Sequence, residues 1–289
     1  MKHIAIIIAL LASVSTSFAQ PTWEWQNPLP QGNALNAISS FDINNAWTVG
    51  DDGAIIHTSD GGTTWISQSS GVTYNLHGVS VVDTNNCWAV GEQGMILHTT
   101  NRGDTWLLQQ DSNYYFTAIQ FINSTTGWAV SQNGAIIHTT NSGAVWKNQT
   151  SPSQQNFTAI SFVDVNNGWI VGDSGILHTI NGGATWIRQP YIAYSKSLQF
   201  SGVSFIDTLN GWAIGYPADS LSLEAIILHT TNGGLVWEGR YDIWGGFNFN
   251  CVSFTDAENG KVVGFGYDYP YPGGQILITP VTGKYPQAR

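Results

Sequence analysis

Histidines and carboxylates are the side chains in this sequence best equipped for chemistry, and both sets are periodic. His57, His98, His138, His178 and His229 each stand directly before a threonine. Asp42, Asp83, Asp164, Asp207 and Asp256 recur in step with them, while Asp51, Asp52, Glu92 and Asp173 follow a second recurring stretch. Imidazoles could ligate a metal, and two carboxylates about 5 to 10 Å apart could hydrolyse a glycoside. The periodicity weighs against both. Equivalent residues on sheets stacked about 10 Å apart cannot share a metal at about 2 Å, so neither metal nor cofactor is expected. The recurring acids read as turn caps, and no acid pair breaks the repeat as a paired catalytic site would. His77 is the one histidine beyond residue 3 that lies off the column.

What must position these residues is a unit of 40 to 41 residues, read in its best copies as Gly-Trp-Ala-Val-Gly, a turn, then Ile-Leu-His-Thr-Thr-Asn-Gly-Gly-x-Thr-Trp. Trp65, Trp106, Trp146, Trp186 and Trp237 close successive units, and Trp47, Trp88, Trp128, Trp169 and Trp212 stand in their middles. Ten of the 13 tryptophans are therefore architectural. A column of small residues, Ala37, Gly78, Ala118, Ala159, Gly202 and Cys251, adds a sixth unit. Each unit divides into four strand-like pieces, in unit four residues 157–163, 168–172, 176–179 and 185–189, parted by Asp-, Asn- and Gly-rich turns. Four short antiparallel strands repeated six times predict an all-β chain folded as a six-bladed β-propeller. Seven blades is the alternative, if a degenerate blade lies within unit five or six.

The two ends of the sequence indicate how the ring closes. Unit six offers three strands, near residues 249–255, 261–265 and 275–279. At the other end, Thr22-Trp23-Glu24-Trp25-Gln26-Asn27-Pro28 copies the fourth strand Thr185-Trp186-Ile187-Arg188-Gln189-Pro190. The amino-terminal strand is therefore expected to complete the last blade.

The hairpin motif reads Thr58-x-Asp60-x-Gly62-x-Thr64-Trp65 and recurs around Asn101 before Trp106 and Asn181 before Trp186. Asn141 before Trp146 and Asn232 before Trp237 keep it, with Val145 and Val236 in place of the second threonine. The Asp or Asn can accept bonds from turn N–H groups, glycine permits positive φ and tryptophan packs beneath, which is chemistry of folding. These residues resemble the Asp-box, or bacterial-neuraminidase-repeat, propellers. The fuller unit looks most like the photosystem II assembly and stability factor group, over essentially all of residues 20–289. That resemblance implies a propeller and, from the plant and cyanobacterial members, binding of a photosystem subunit through a basic patch. Here four arginines and four lysines follow residue 19, scattered among the units. Sialidases share the repeat, and their chemistry uses three arginines around the substrate carboxylate, a tyrosine paired with glutamate and an acidic proton donor. Their Phe-Arg-Ile-Pro stretch is absent, and Arg102, Arg188 and Arg240 fall in a hairpin or on or just after outermost strands.

Residues 1–19 read as a cleaved secretory signal, with Lys2, the apolar run from Ile4 to Leu11, and Ser17-Phe18-Ala19 at the cleavage point. Residues 20–289 are then expected to be one exported, soluble and monomeric domain, in the periplasm or outside the cell. With 9 basic and 19 acidic residues the chain carries a net charge of −10, which disfavours nucleic acid and anionic membrane as partners. Cys87 and Cys251 fall in non-neighbouring units and are expected to be two buried, unpaired thiols.

Departures from the pattern carry more functional information than the pattern does, because folding already explains the regular positions. Unit five lengthens the turn between its second and third strands over residues 216–224, and unit six does so with Tyr267-Asp268-Tyr269-Pro270-Tyr271-Pro272. Residues 191–198 and 241–247 lengthen crossovers. Both kinds of connection emerge on one face of a propeller, and Tyr74, Tyr114 and Tyr115 add to it. Aromatics beside hydrogen-bonding groups suit a protein or glycan partner, with Tyr216, Trp244, Tyr267, Asp268, Tyr269 and Tyr271 the candidate binding residues. The sequence thus predicts a non-catalytic binding or scaffold propeller. A glycoside hydrolase using acids on the same face and a structural part of an envelope assembly are the alternatives.

Overall fold

A computed structural model describes residues 32–110, 113–173, 175–191, 198–218, 224–244, 247–266 and 273–280. They form six antiparallel sheets, five of four strands and the last of three. Every sheet is a meander whose first strand lies at the axis: Leu35–Ser40, Leu76–Val81, Phe116–Phe121, Phe157–Phe162, Leu198–Phe205 and Phe247–Phe254. The single 3-10 turns Asp51–Gly53, Glu92–Gly94 and Gln132–Gly134 are the helical elements among the described residues. The fold is a β-propeller. No helix among the described residues is long and apolar enough to cross a membrane.

The small-residue column has a geometric cause. The register between first and second strands slips beside it in each sheet, between Leu76 and Gly78 and again between Phe157 and Ala159, for example. Such a bulge bends the strand where inner strands crowd together. A Cβ on Gly78 would come within 3.1 Å of the Ala118 backbone on the next sheet.

Burial of the mid-unit tryptophans holds sheet to sheet. Trp88, Trp128, Trp169 and Trp212 are fully buried, and each stacks on a phenylalanine of the following sheet, Phe121, Phe162, Phe205 and Phe254, with ring centroids 3.5 to 3.7 Å apart. The closing tryptophans meet the same phenylalanines edge-on, as Trp186 does Phe162. The glycine opposite each phenylalanine leaves room for its ring: a Cβ on Gly127, Gly168, Gly211 or Gly260 would collide with Phe121, Phe162, Phe205 or Phe254. Where the cross-strand partner is smaller the glycine is gone, as Cys87 pairs with Val81 and Ala46 with Ser40. Cys87 is thus a buried space-filler. Cys251 differs from the expectation, being free but exposed, because its bulge position lines the axial cavity.

Apolar clusters join sheet one to two, two to three, three to four, four to five and five to six. No such cluster joins six to one among the described residues. Ile38 of sheet one is 66% exposed, whereas its counterparts Val79, Ile119, Val203 and Val252 are 6 to 8% exposed. The residues expected to complete the last blade, including Trp23, lie outside those described.

Two predicted connections are strand instead. Glu238–Trp244 forms the fourth strand of sheet five, pairing Trp244 with Glu224 and Ile243 with Ala225, so residues 241–244 are no crossover. Tyr216 and Pro217 extend the second strand, Gly211–Pro217, through pairing with Gln199 and Leu198. Longer strands on both sides give each other partners, which repeat length does not reveal.

Candidate functional site

The hairpin end of the molecule satisfies itself. In sheet one the Thr64 N–H and Oγ1–H donate to Asp60 at 2.8 and 2.7 Å, and Thr58 Oγ1 accepts from the Gly62 N–H at 2.9 Å. Asn101, Asn141, Asn181 and Asn232 accept the equivalent N–H bonds in their own hairpins. Gly62 lies at φ 87° and its counterparts likewise, in the left-handed region that glycine tolerates. Trp65 is half-buried, while Trp106, Trp186 and Trp237 are buried beneath their hairpins. Glutamine amides then latch neighbours: Gln68, Gln109 and Gln149 donate at 2.7 Å to carbonyls of Arg102, Ser142 and Gly182 in the next hairpin. The motif's Asp, Asn and first-Thr side-chain oxygens are thus engaged within their own hairpins.

The histidine column is equally internal. Each imidazole lies flat on its own sheet's tryptophan, with centroids 4.0 to 4.7 Å apart for Trp47–His57, Trp88–His98, Trp128–His138, Trp169–His178 and Trp212–His229. Burial holds His98 and His178 at about 4, with Asp83 offsetting a little of the effect at His98. The recurring aspartates cap turns. Asp42 accepts from the Asn44 and Asn45 N–H groups and the Asn45 amide, which together hold its carboxyl below the usual range. Among the described residues no group of three or more His, Cys, Asp or Glu could hold a metal.

The opposite end is different. A cavity of about 710 Å³ runs along the axis, lined by the inner strands of all six sheets, and extends past Ile38, Thr48, Ile56 and Trp65 toward Val252 and Val263. Around one mouth, turns between second and third strands meet the crossovers, as the Glu92 N–H donates to the Asn75 carbonyl and the Asp51 N–H to the Ala34 carbonyl. Asparagines orient the rim carboxylates: Asn36 donates to Asp51 at 2.9 Å, Asn75 to Glu92 at 3.1 Å and Asn156 to Asp173 at 3.0 Å. His77 lies 3.8 Å from Glu92 through Nε2, and its ring stacks on Tyr115 with centroids 4.8 Å apart. Burial lowers the His77 pKa, with Glu92 and Asp51 partly offsetting this; burial, Glu92 and Asp51 together raise that of Tyr115. These side chains could hold a partner's polar or cationic group against an aromatic surface.

Of the candidate binding residues, Tyr216 is half-buried on the second strand of sheet five and Trp244 ends its fourth. Tyr267, Asp268, Tyr269 and Tyr271 lie outside the described residues, between strands Asn259–Gly266 and Gly273–Pro280. Tyr191 packs edge-on against Phe200 and joins the core. Tyr74 is exposed, and the Tyr114 hydroxyl donates to Asn148 at 3.1 Å. Missing from the sequence-based set were His77 and Glu92 as partners of Tyr115. The available signal was that His77 breaks a column of Asn, Thr and Ser, at Asn36, Thr117, Thr158, Ser201 and Asn250.

The sequence matches the family model described as photosynthesis system II assembly factor YCF48 over residues 16–109 and 144–241. No curated protein matches it. Among solved structures it is similar to YCF48 bound to a D1 peptide, at 18% identity and a TM-score of 0.67, over 87% of this chain and 79% of that one. It is also similar to YCF48 from Cyanidioschyzon merolae, at 20% identity and a TM-score of 0.56, over 82% and 94% of the two chains. An ancestral GH74 enzyme matches at 16% identity and a TM-score of 0.68, over 86% of this chain but 37% of the enzyme. At these identities the structural likeness is one of fold.

Proposed function

The chain belongs to the photosynthesis system II assembly factor YCF48 family, and from that premise we propose that it is an exported, non-catalytic propeller that binds a protein partner. Binding uses the face where crossovers and the turns between second and third strands surround the axial cavity. The observation that carries this reading is the meeting of His77, Glu92 and Tyr115 at the cavity mouth, in contrast to the internally bonded hairpin motifs of the opposite end. A solved relative is a complex with a peptide, which supports a polypeptide ligand over a glycan. By repeat equivalence, Tyr267, Tyr269 and Tyr271 belong to a turn of the same class, and Tyr216 borders the corresponding turn of sheet five, so both extend the face.

Peptide and glycan arrays probed with the purified chain test this. Peptide binding that is lost in Tyr267→Ala and Tyr271→Ala supports the face, and binding unchanged in both contradicts it. Hydrolysis of an arrayed glycan that one acid substitution abolishes would replace the reading with a glycoside hydrolase.

A further inference from the structure

Sheet two gives up a bond at the cavity mouth that other sheets make. Asn36 donates to the Leu76 carbonyl at 3.0 Å, Thr117 to Phe157 at 2.8 Å, Thr158 to Phe200 at 2.7 Å, and Ser201 to Phe249, each reaching the inner strand of the following sheet. His77 holds this position in sheet two, and its Nε2 lies 3.8 Å from Glu92. The ring instead stacks on Tyr115, which stands where sheets two and four carry Asn75 and Asn156. Glu92 keeps the acid that sheets one and four carry as Asp51 and Asp173, where sheet three has Gln132. Two departures from the repeat, on two adjoining sheets, therefore meet beside the recurring acid.

The chemistry of the point is specific. Glu92 lies 3.8 Å from the imidazole that stacks on Tyr115, so a carboxylate borders one pair of stacked rings. The His77 and Glu92 side chains are 20% and 27% exposed, enough for a ligand to reach them. A ring face attracts a cation, a carboxylate accepts paired N–H bonds from a planar one, and a guanidinium does both where an ammonium does only the first well. The chain's net charge of −10 steers cations toward it. We propose that the site formed by His77, Glu92 and Tyr115 at the cavity mouth binds the guanidinium of an arginine presented by the partner protein. This rests on the reading that this face binds a protein.

The test is an NMR titration of the whole chain with acetyl-arginine amide, following the His77 ring protons, with acetyl-citrulline amide as the uncharged isostere. Arginine is expected to shift the resonances saturably and citrulline to bind about tenfold more weakly. Glu92→Gln, which borrows the residue of sheet three, should weaken arginine by about tenfold while leaving the thermal midpoint unchanged. Equal binding of citrulline, or arginine binding indifferent to Glu92→Gln, overturns the proposal. If the arrays yield peptides that bind without arginine and tolerate Glu92→Gln, the guanidinium pocket falls and the partner-binding face stands.

Discussion

Imidazoles stacked on tryptophan make His98 and His178 reporters of the core. Burial holds both at about 4, so they stay neutral in the folded chain where an unfolded histidine takes up a proton near 6.5. Below 6.5 the unfolded state therefore binds more protons, and stability must fall as pH drops from about 6.5 to about 4. The turn-capping aspartates, whose pKa values are lowered, add their loss below the usual carboxylate range. Thermal midpoints measured across this window should decline, and His178→Gln should make the decline shallower. A midpoint flat from pH 7 to 4 would contradict the buried, neutral state. The column was legible in the sequence because it repeats. The tryptophan beneath each histidine was not, since stacking links residues on two strands whose register had to be seen.

Strands are matched through pairs of opposite size. Gly168 faces Phe162, whose ring is held against Trp128 at 3.7 Å and Trp186 at 6.0 Å and so cannot retreat. Gly168→Ala should cost about 1–3 kcal/mol by overpacking. Combined with Phe162→Val, the double variant should lose less than the two single losses added, as the natural Cys87–Val81 pair implies. Chemical denaturation of the four proteins measures the coupling, and strict additivity would contradict it. Turns and the four-strand division were readable from Asp, Asn and Gly. The reach of sheet five was not, because Tyr241 to Trp244 become strand through pairing with residues 224–227, and that partner carries no motif. The mouth cluster was half visible: His77 and Tyr115 stood out singly, but only the crossover contact between sheets brings them together.

At the scale of the whole molecule, five sheet interfaces each have an apolar cluster, and the seam between six and one leaves Ile38 and Phe41 open. Residues 22–28 repeat the fourth-strand sequence, and Gln26 aligns with Gln68, Gln109 and Gln149, whose amides latch the next hairpin. If that segment completes sheet six, Trp23→Ala should lower the thermal midpoint by roughly 10 °C, as for a large buried aromatic, and an unchanged midpoint would contradict closure. Regular residues that serve shape leave recognition to the irregular ones. The most direct measurement uses the chain's own alternatives: His77→Asn, Glu92→Gln and Tyr115→Asn together, each borrowed from the equivalent position of another sheet. This triple variant should keep the wild-type melting temperature and lose peptide binding on the array. Undiminished binding by a variant that melts normally would show that the cavity mouth is not where the partner docks.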